Sequence, residues 1–168
     1  VCPAPIQTAD DGRIPYFRLD RRHQESSEGK TKNVEEMKRQ SIKLHGIATS
    51  GIRQSAFFTE IPWVRKQFVE KLGINPYPGT FNVTVLASDR EKLNQLRKSK
   101  GIEIVPEDTN FCAASSFHVL VNNRIKGAAI IPLVPNYPPT QLEIIAGERI
   151  KDSLALKDGD LVEVEVYI

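Results

Sequence analysis

The sequence predicts a mainly β domain that closes into a compact barrel carrying two short helices, with a polar extension in front of it. Two observations lead there. From Lys43 onward, short runs rich in β-branched and aromatic residues alternate with Gly, Pro and Asn turn signals. Only two stretches in that region carry a sustained helical period, and so many strands within roughly 125 residues favour a closed or nearly closed barrel over a parallel doubly wound sheet.

Residues 1–42 form the extension and 43–168 the domain. The extension is rich in charge, Pro and Ser, and its large apolar residues are too sparse to bury a core alone. Within it, Ile14-Pro15-Tyr16-Phe17-Arg18-Leu19 reads as a short strand and Arg21 to Lys32 as a loop. Asn33 is placed to cap a helix through Val34, Met37 and Ser41. The whole segment reads as a tail that packs on the domain or stays mobile.

The domain opens with a strand from Ile42 to Ala48. An apolar run at Phe57-Phe58 precedes Pro62, which suits a first helical turn because its missing N–H is not needed there. Trp63, Val64, Gln67, Phe68, Lys71 and Leu72 follow a period near 3.6, and Gly73 is a natural C-terminal stop. Ser88 is read as the cap of a second helix, in which Leu93 and Leu96 share one face before Gly101 ends it. Strands are predicted at Phe81 to Leu86, Ile102 to Val105, Ser116 to Val121, Ile125 to Ile131, Gln141 to Ile145 and Asp160 to Tyr167. Asn122-Asn123 makes a hairpin turn, since Asn tolerates positive φ.

Composition excludes several function classes. The 23 basic and 21 acidic side chains leave a net charge of +2 with no Lys/Arg run, which removes the strong field that nucleic-acid binders use. The longest apolar stretches, such as Gly127 to Val134, fall far short of the roughly 20 residues of a spanning helix. The N-terminus lacks the order of a signal peptide. Cys2 and Cys112 cannot make a disulfide framework and have no Cys/His neighbours at metal-ligand spacing, so a cytoplasmic protein without structural zinc or haem is expected. Gly-x-Gly-x-x-Gly and the Walker loop are both absent, which removes the usual dinucleotide and P-loop readings.

Four constellations carry candidate chemistry. In Leu72 to Val83, two prolines and a glycine stiffen a turn that delivers Thr80 and Asn82 to one side of the following strand. Their hydroxyl and amide oxygens either serve as hard ligands of the kind Mg²⁺ accepts, or bond backbone groups in a purely structural turn. Thr49 to Ala56 is either a phosphate-binding loop presenting N–H groups and Arg53, or a plain connection. Glu143, among Leu142, Ile144 and Ile145, is either a half-buried general base or hydrogen-bond acceptor for a substrate hydroxyl, or the polar half of a strand alternation. Gly147 to Asp160 reads as a short helix and an Asp-Gly turn leading into the final strand, with basic residues that a solvated surface accounts for. Cys112, beside Phe111, Ala113 and Ala114, reads as a small core residue.

Taken in order, these segments resemble the CTP-dependent riboflavin kinases best known from archaea. That family runs from a strand and glycine-rich loop through a Pro-Tyr-x-Gly-Thr-Leu-Asn turn, a Gly-Ala-x-x-x-Pro strand and a Glu-Ile-Ile-Ala strand to a Leu-Lys-Asp-Gly-Asp close. Here the matching residues are Gly51, Pro76 to Asn82, Gly127 to Pro132, Glu143 to Ala146 and Leu156 to Asp160. The resemblance covers about Gly46 to Val166 and leaves the first 42 residues unmatched.

What the resemblance implies is a six-stranded cradle-loop (RIFT-related) β-barrel that transfers the γ-phosphate of CTP to the 5′-hydroxyl of riboflavin, giving FMN and CDP with Mg²⁺. By that resemblance Thr80 and Asn82 match the metal ligands. Gly51, Ile52, Arg53, Gln54, Ser55 and Ala56 occupy the nucleotide loop, and Glu148, Arg149, Ile150 and Lys151 a second nucleotide-contacting segment. Tyr137 and Glu143 fall in the flavin-contacting region, with Glu143 the candidate catalytic residue. The implied partners are CTP and riboflavin or a related acceptor, without nucleic acid or membrane. The chain departs from the family at Gly51-Ile52-Arg53-Gln54-Ser55, where Gly-Leu-Gly-Glu-Gly is common, and at Pro135-Asn136-Tyr137, where Thr-Tyr-His is common. Two alternatives follow: a non-catalytic nucleotide- or flavin-binding module, and a kinase for a different small alcohol.

Overall fold

The computed structural model describes residues 40–51 and 58–168. In chain order these are β1 (Ser41–Thr49), α1 (Pro62–Leu72), β2 (Phe81–Val85), a 3₁₀ turn (Ala87–Asp89), α2 (Arg90–Lys98), β3 (Ile102–Ile104), β4 (Ala114–Val121), β5 (Ile125–Pro132), β6 (Gln141–Ala146), α3 (Ile150–Ser153) and β7 (Leu161–Tyr167). None of the described helices is long and apolar enough to cross a membrane.

Six strands close on themselves in the order β4-β5-β6-β2-β1-β7, and β7 returns to β4 through Val119, Leu120 and Val121. Every pairing is antiparallel. The short β3 pairs with Ala114, Ser115 and Ser116 of β4, so β3 and β7 share the two halves of one β4 edge. Closure leaves few backbone groups unpaired along the strands, which is how small barrels manage the edge problem.

The period of two along each strand sorts side chains into two clusters. Leu44, Val83, Leu142, Ile144 and Val164 fill the barrel interior, joined by Leu93 and Leu96 from α2 and by Ile150 from α3. On the outer face, Ala128, Ile130 and Ile145 pack against Val64, Phe68 and Leu72 of α1. Pro62 opens α1 at its first turn, and Gly73 ends it with φ 68°. Asn122 and Asn123, at φ 46° and 55°, turn β4 into β5 as their tolerance of the left-handed region predicts.

Two local expectations change. Ser88 lies inside the 3₁₀ turn and does not cap α2; Asp89 holds the N-cap position, with its carboxylate committed to His45 and Lys92. Ser41, expected in a helix begun at Asn33, instead opens β1, where pairing with Tyr167 captures it. The apolar Phe58 falls in a helical segment. The strand at Ile14 to Leu19, the loop at Arg21 to Lys32 and the helix from Asn33 lie outside the described residues, as does Phe57.

Candidate functional site

The site lies on the outer face of the β2–β6 pair. Register sets Asn82 opposite Glu143 and Thr84 opposite Gln141, while Phe81, Val83, Leu142 and Ile144 turn inward. One strand pair therefore shows polar groups to the outside and apolar groups to the core.

A rigid turn delivers the first residue of the array. The Tyr77 N–H donates to the Ala146 carbonyl at 2.8 Å, and the Gly79 N–H to the buried Thr59 hydroxyl at 2.9 Å. Gly79 adopts φ 109°, a conformation that favours glycine. Thr80 follows directly. Its hydroxyl donates to Glu143 Oε2 at 3.2 Å and accepts from Asn82 Nδ2 at 3.3 Å. The same Asn82 nitrogen donates to the Thr80 carbonyl at 3.2 Å. Asn82 is buried, so these bonds satisfy an amide that would otherwise be costly to bury.

Glu143 is half-buried, and its Oε1 accepts from the Tyr137 hydroxyl at 2.8 Å and from Gln141 Nε2 at 3.1 Å. Burial, then the negative Glu143 beside it, push the Tyr137 phenol well above its usual value, which keeps it a donor. Arg97 of α2 lies 5.4 Å from the centroid of the Tyr137 ring and donates through Nη2 to the carbonyls of Pro138 and Gln141 at 2.7 and 3.2 Å. The Pro-rich loop before β6 is thus clamped from α2.

Two cavities meet at this array and share Thr49, Ser50, Gly51, Thr80 and Asn82. The larger, about 730 Å³, is walled by Phe58, Phe68, Phe111, Ile130 and Ile145, with Gln141 and Glu143 at its polar side. It suits a flat apolar ring system with a few polar anchors. The smaller, about 550 Å³, is lined by Tyr77, Pro78, Gly79, Glu148, Arg149 and Lys151. Its lining includes two cations, Arg149 and Lys151, of the kind that hold an anionic ligand.

Around the second cavity the charges are already partnered. Lys151 Nζ contacts Asp158 Oδ1 and lies 3.2 Å from Ser50 Oγ, which itself donates to Asp158 Oδ2 at 2.6 Å. Lys151 first, and Ser50 next, hold the Asp158 carboxyl below its ordinary value. Arg149 Nη1 bridges both oxygens of Asp152 at 3.1 Å, and Glu148 accepts from Ser153.

Of the residues singled out from the sequence, Gly51, Thr80, Asn82, Tyr137 and Glu143 gather at the junction, and Arg149 and Lys151 line the second cavity. Glu148 is there too, although it faces Ser153. Ile150 differs: its side chain is buried in the barrel core, which leaves its backbone for any ligand. Ile52, Arg53, Gln54, Ser55 and Ala56 lie outside the described residues. Cys112, read as core, is half-buried in the wall of the larger cavity and is not a free thiol.

Sequence reasoning missed Gln141 and Arg97. Gln141 sits two residues before Glu143 on one strand, so the period of two was a usable signal for it. Arg97 reaches the loop across tertiary space, and no local pattern announces that. The aromatic wall from Phe58, Phe68 and Phe111 likewise assembles from three separate segments.

Comparisons with known proteins point to one family. The family model described as CTP-dep_RFKase, domain of unknown function DUF120, matches residues 48–166. A riboflavin kinase of Archaeoglobus fulgidus is 38% identical over 131 residues, covering 76% of this chain and 56% of that protein. One of Pyrobaculum aerophilum is 34% identical over 134 residues, covering 76% and 62%. One of Methanobrevibacter smithii is 32% identical over 124 residues, covering 74% and 99%. The chain thus spans 56 to 62% of the length of the first two relatives and nearly all of the third. With the match running from the end of β1 to β7, the chain belongs to the CTP-dependent riboflavin kinase (CTP-dep_RFKase) domain family.

Proposed function

We propose that residues 43–168 form a kinase domain that transfers the γ-phosphate of CTP to the 5′-hydroxyl of riboflavin. The observation that carries this reading is the junction: Thr80, Asn82 and Gly51 belong to both an aromatic-walled cavity and a basic one. Phosphoryl transfer needs a donor and an acceptor brought into line, with little covalent work by the protein.

The Thr80 hydroxyl oxygen lies beside Glu143 Oε2, and the Asn82 amide oxygen faces Gln141 with its nitrogen turned to Thr80, so the two supply neutral hard oxygens near one carboxylate. Such a donor set fits Mg²⁺, which keeps waters and takes phosphate oxygens along with few protein ligands. When bound, the ion would supply charge neutralisation on the phosphates. The chain's own residues do the rest. Arg149 and Lys151 line the basic cavity and would meet a triphosphate there, with Lys151 exchanging Asp158 for phosphate oxygens. Phe58, Phe68 and Phe111 would hold the flavin rings and exclude water. Glu143 would accept a hydrogen bond from the acceptor hydroxyl, orienting it and taking its proton as transfer proceeds.

The test is incubation with Mg²⁺, riboflavin and each of the four nucleoside triphosphates, followed by separation of the flavins. FMN is expected with CTP; absence of FMN with every nucleotide overturns the reading. One observation favours a second reading, a kinase for another small alcohol: Tyr137, in the loop that departs from the family, already occupies Glu143 Oε1. CTP-dependent phosphorylation of another alcohol in a metabolite panel, with riboflavin inert, would select it.

A further inference from the structure

Gln141 joins the two halves of the junction through a single atom. Its Nε2 donates to Asn82 Oδ1 and to Glu143 Oε1, each at 3.1 Å. An Asn amide can sit in two orientations related by a half-turn, nearly identical in shape, and hydrogen bonds decide between them. Here the decision is made at both ends. Asn82 Nδ2 donates to the Thr80 carbonyl and hydroxyl, and Oδ1 accepts from Gln141. Turning Asn82 over would set its NH₂ against the Gln141 NH₂, donor against donor, inside a buried site. Gln141 is itself held in place, since its N–H donates to the Pro138 carbonyl at 3.2 Å and its carbonyl accepts from Arg97 at 3.2 Å.

The second bond from Gln141 acts on Glu143. With Tyr137 and Gln141 both on Oε1, the other oxygen is left turned toward Thr80. One side chain thereby sets the direction of the amide oxygen and of the carboxylate together.

We propose that Gln141 is a positioning residue: it holds the Asn82 amide with Nδ2 on Thr80 and Oδ1 on its own Nε2, which leaves one Oδ1 lone pair for a divalent cation, and it holds Glu143 with Oε2 toward the junction. The proposal rests on the reading of Thr80 and Asn82 as cation ligands. Loss of a residue that orients a metal ligand typically weakens metal binding by about 10- to 100-fold.

Gln141→Leu and Gln141→Met remove the donor while nearly keeping the volume, and either suits a strand position. The readout is the Asn82 side-chain amide signal in NMR spectra of the full chain, assigned by its loss in Asn82→Ala, first alone and then through a titration of MgCl₂ with CTP present. In both variants, with the remaining amide spectrum that of the folded chain, the Asn82 signals should move before any ligand is added. The Mg²⁺ concentration at half-shift should rise by about tenfold or more. Asn82 signals unchanged in a folded variant overturn the proposal, and so does an unchanged Mg²⁺ midpoint. A chain that makes no FMN with any nucleotide sinks the kinase reading separately, because the amide signals are read without turnover.

Discussion

Asn82 stands directly opposite Glu143 in the antiparallel β2–β6 pair, and the Thr80 hydroxyl touches both side chains, at 3.2 Å from Glu143 Oε2 and 3.3 Å from Asn82 Nδ2. Strand register, rather than a flexible loop, therefore sets the separation between the amide and the carboxylate. A site built on paired strands holds its geometry more closely than one built on loops alone. Glycine packing tightens it further, because Gly51 lies against the same amide from the end of β1.

Asn82→Ala should lower FMN formation by about 100-fold or more, the scale seen when one preorganised polar group is removed from a reacting centre. Thr80→Ala should act in the same direction. Flavin separation after timed incubation with CTP and Mg²⁺ measures both. Turnover equal to the parent chain would show that this pair lies outside the site.

Gly51→Ala tests the close approach beside Asn82. A Cβ at Gly51 would stand 2.3 Å from Asn82 Nδ2, far inside contact distance, so the amide must move. Gly51 is exposed, which spares the core. The expected outcome is a loss of kcat/KM of about tenfold or more with the melting temperature nearly unchanged, since about 1.4 kcal/mol of misplacement is enough for that factor. A large fall in melting temperature without kinetic loss would contradict it.

Lys151→Ala should raise KM for CTP by about tenfold, as expected on losing one charge-assisted contact of roughly 1.5 to 3 kcal/mol, and should leave kcat less affected. Asp158→Asn frees the lysine from its partner and should lower KM. Steady-state kinetics at varied CTP with riboflavin saturating distinguishes the two directions.

Asp89 should give the chain a defined acid sensitivity. Its side chain is buried, and Lys92 first, then His45, lower its carboxyl from 3.8 to about 2. The folded value lies below the unfolded one, so the charged carboxylate stabilises the fold above about pH 3.8, and that contribution disappears as pH falls through about 2. Because His45 and Lys92 are both more than 40% exposed, at 42% and 47%, screening reduces the effect to about 1–2 kcal/mol. Asp89→Asn should therefore be less stable than the parent near neutral pH, and the two denaturation curves should converge between pH 4 and 2. A constant gap across that range would assign the effect to something other than the charge.

Near-neighbour patterns along the chain specify the barrel strands, the α1 boundaries and the turn that delivers Thr80 and Asn82. Each depends on near neighbours along the chain: a period of two, a proline at a first turn, a glycine or asparagine at positive φ. Where local and tertiary demands compete, local signals lost. Ser88 is a good capping residue, but Asp89 lies where His45 and Lys92 can pair with it, and Ser41 follows its strand partner Tyr167. Ile150, adjacent to two basic residues, went to the core because a one-turn helix must bury its apolar side chain against the barrel. Packing between distant segments is what makes Gln141 touch Asn82 and Glu143 together, Arg97 clamp the loop bearing Tyr137, and phenylalanines from three segments form one wall. Apart from the step of two between Gln141 and Glu143 along one strand, those contacts join separate segments, and the distances between them are set by barrel closure and helix packing, which no local pattern encodes.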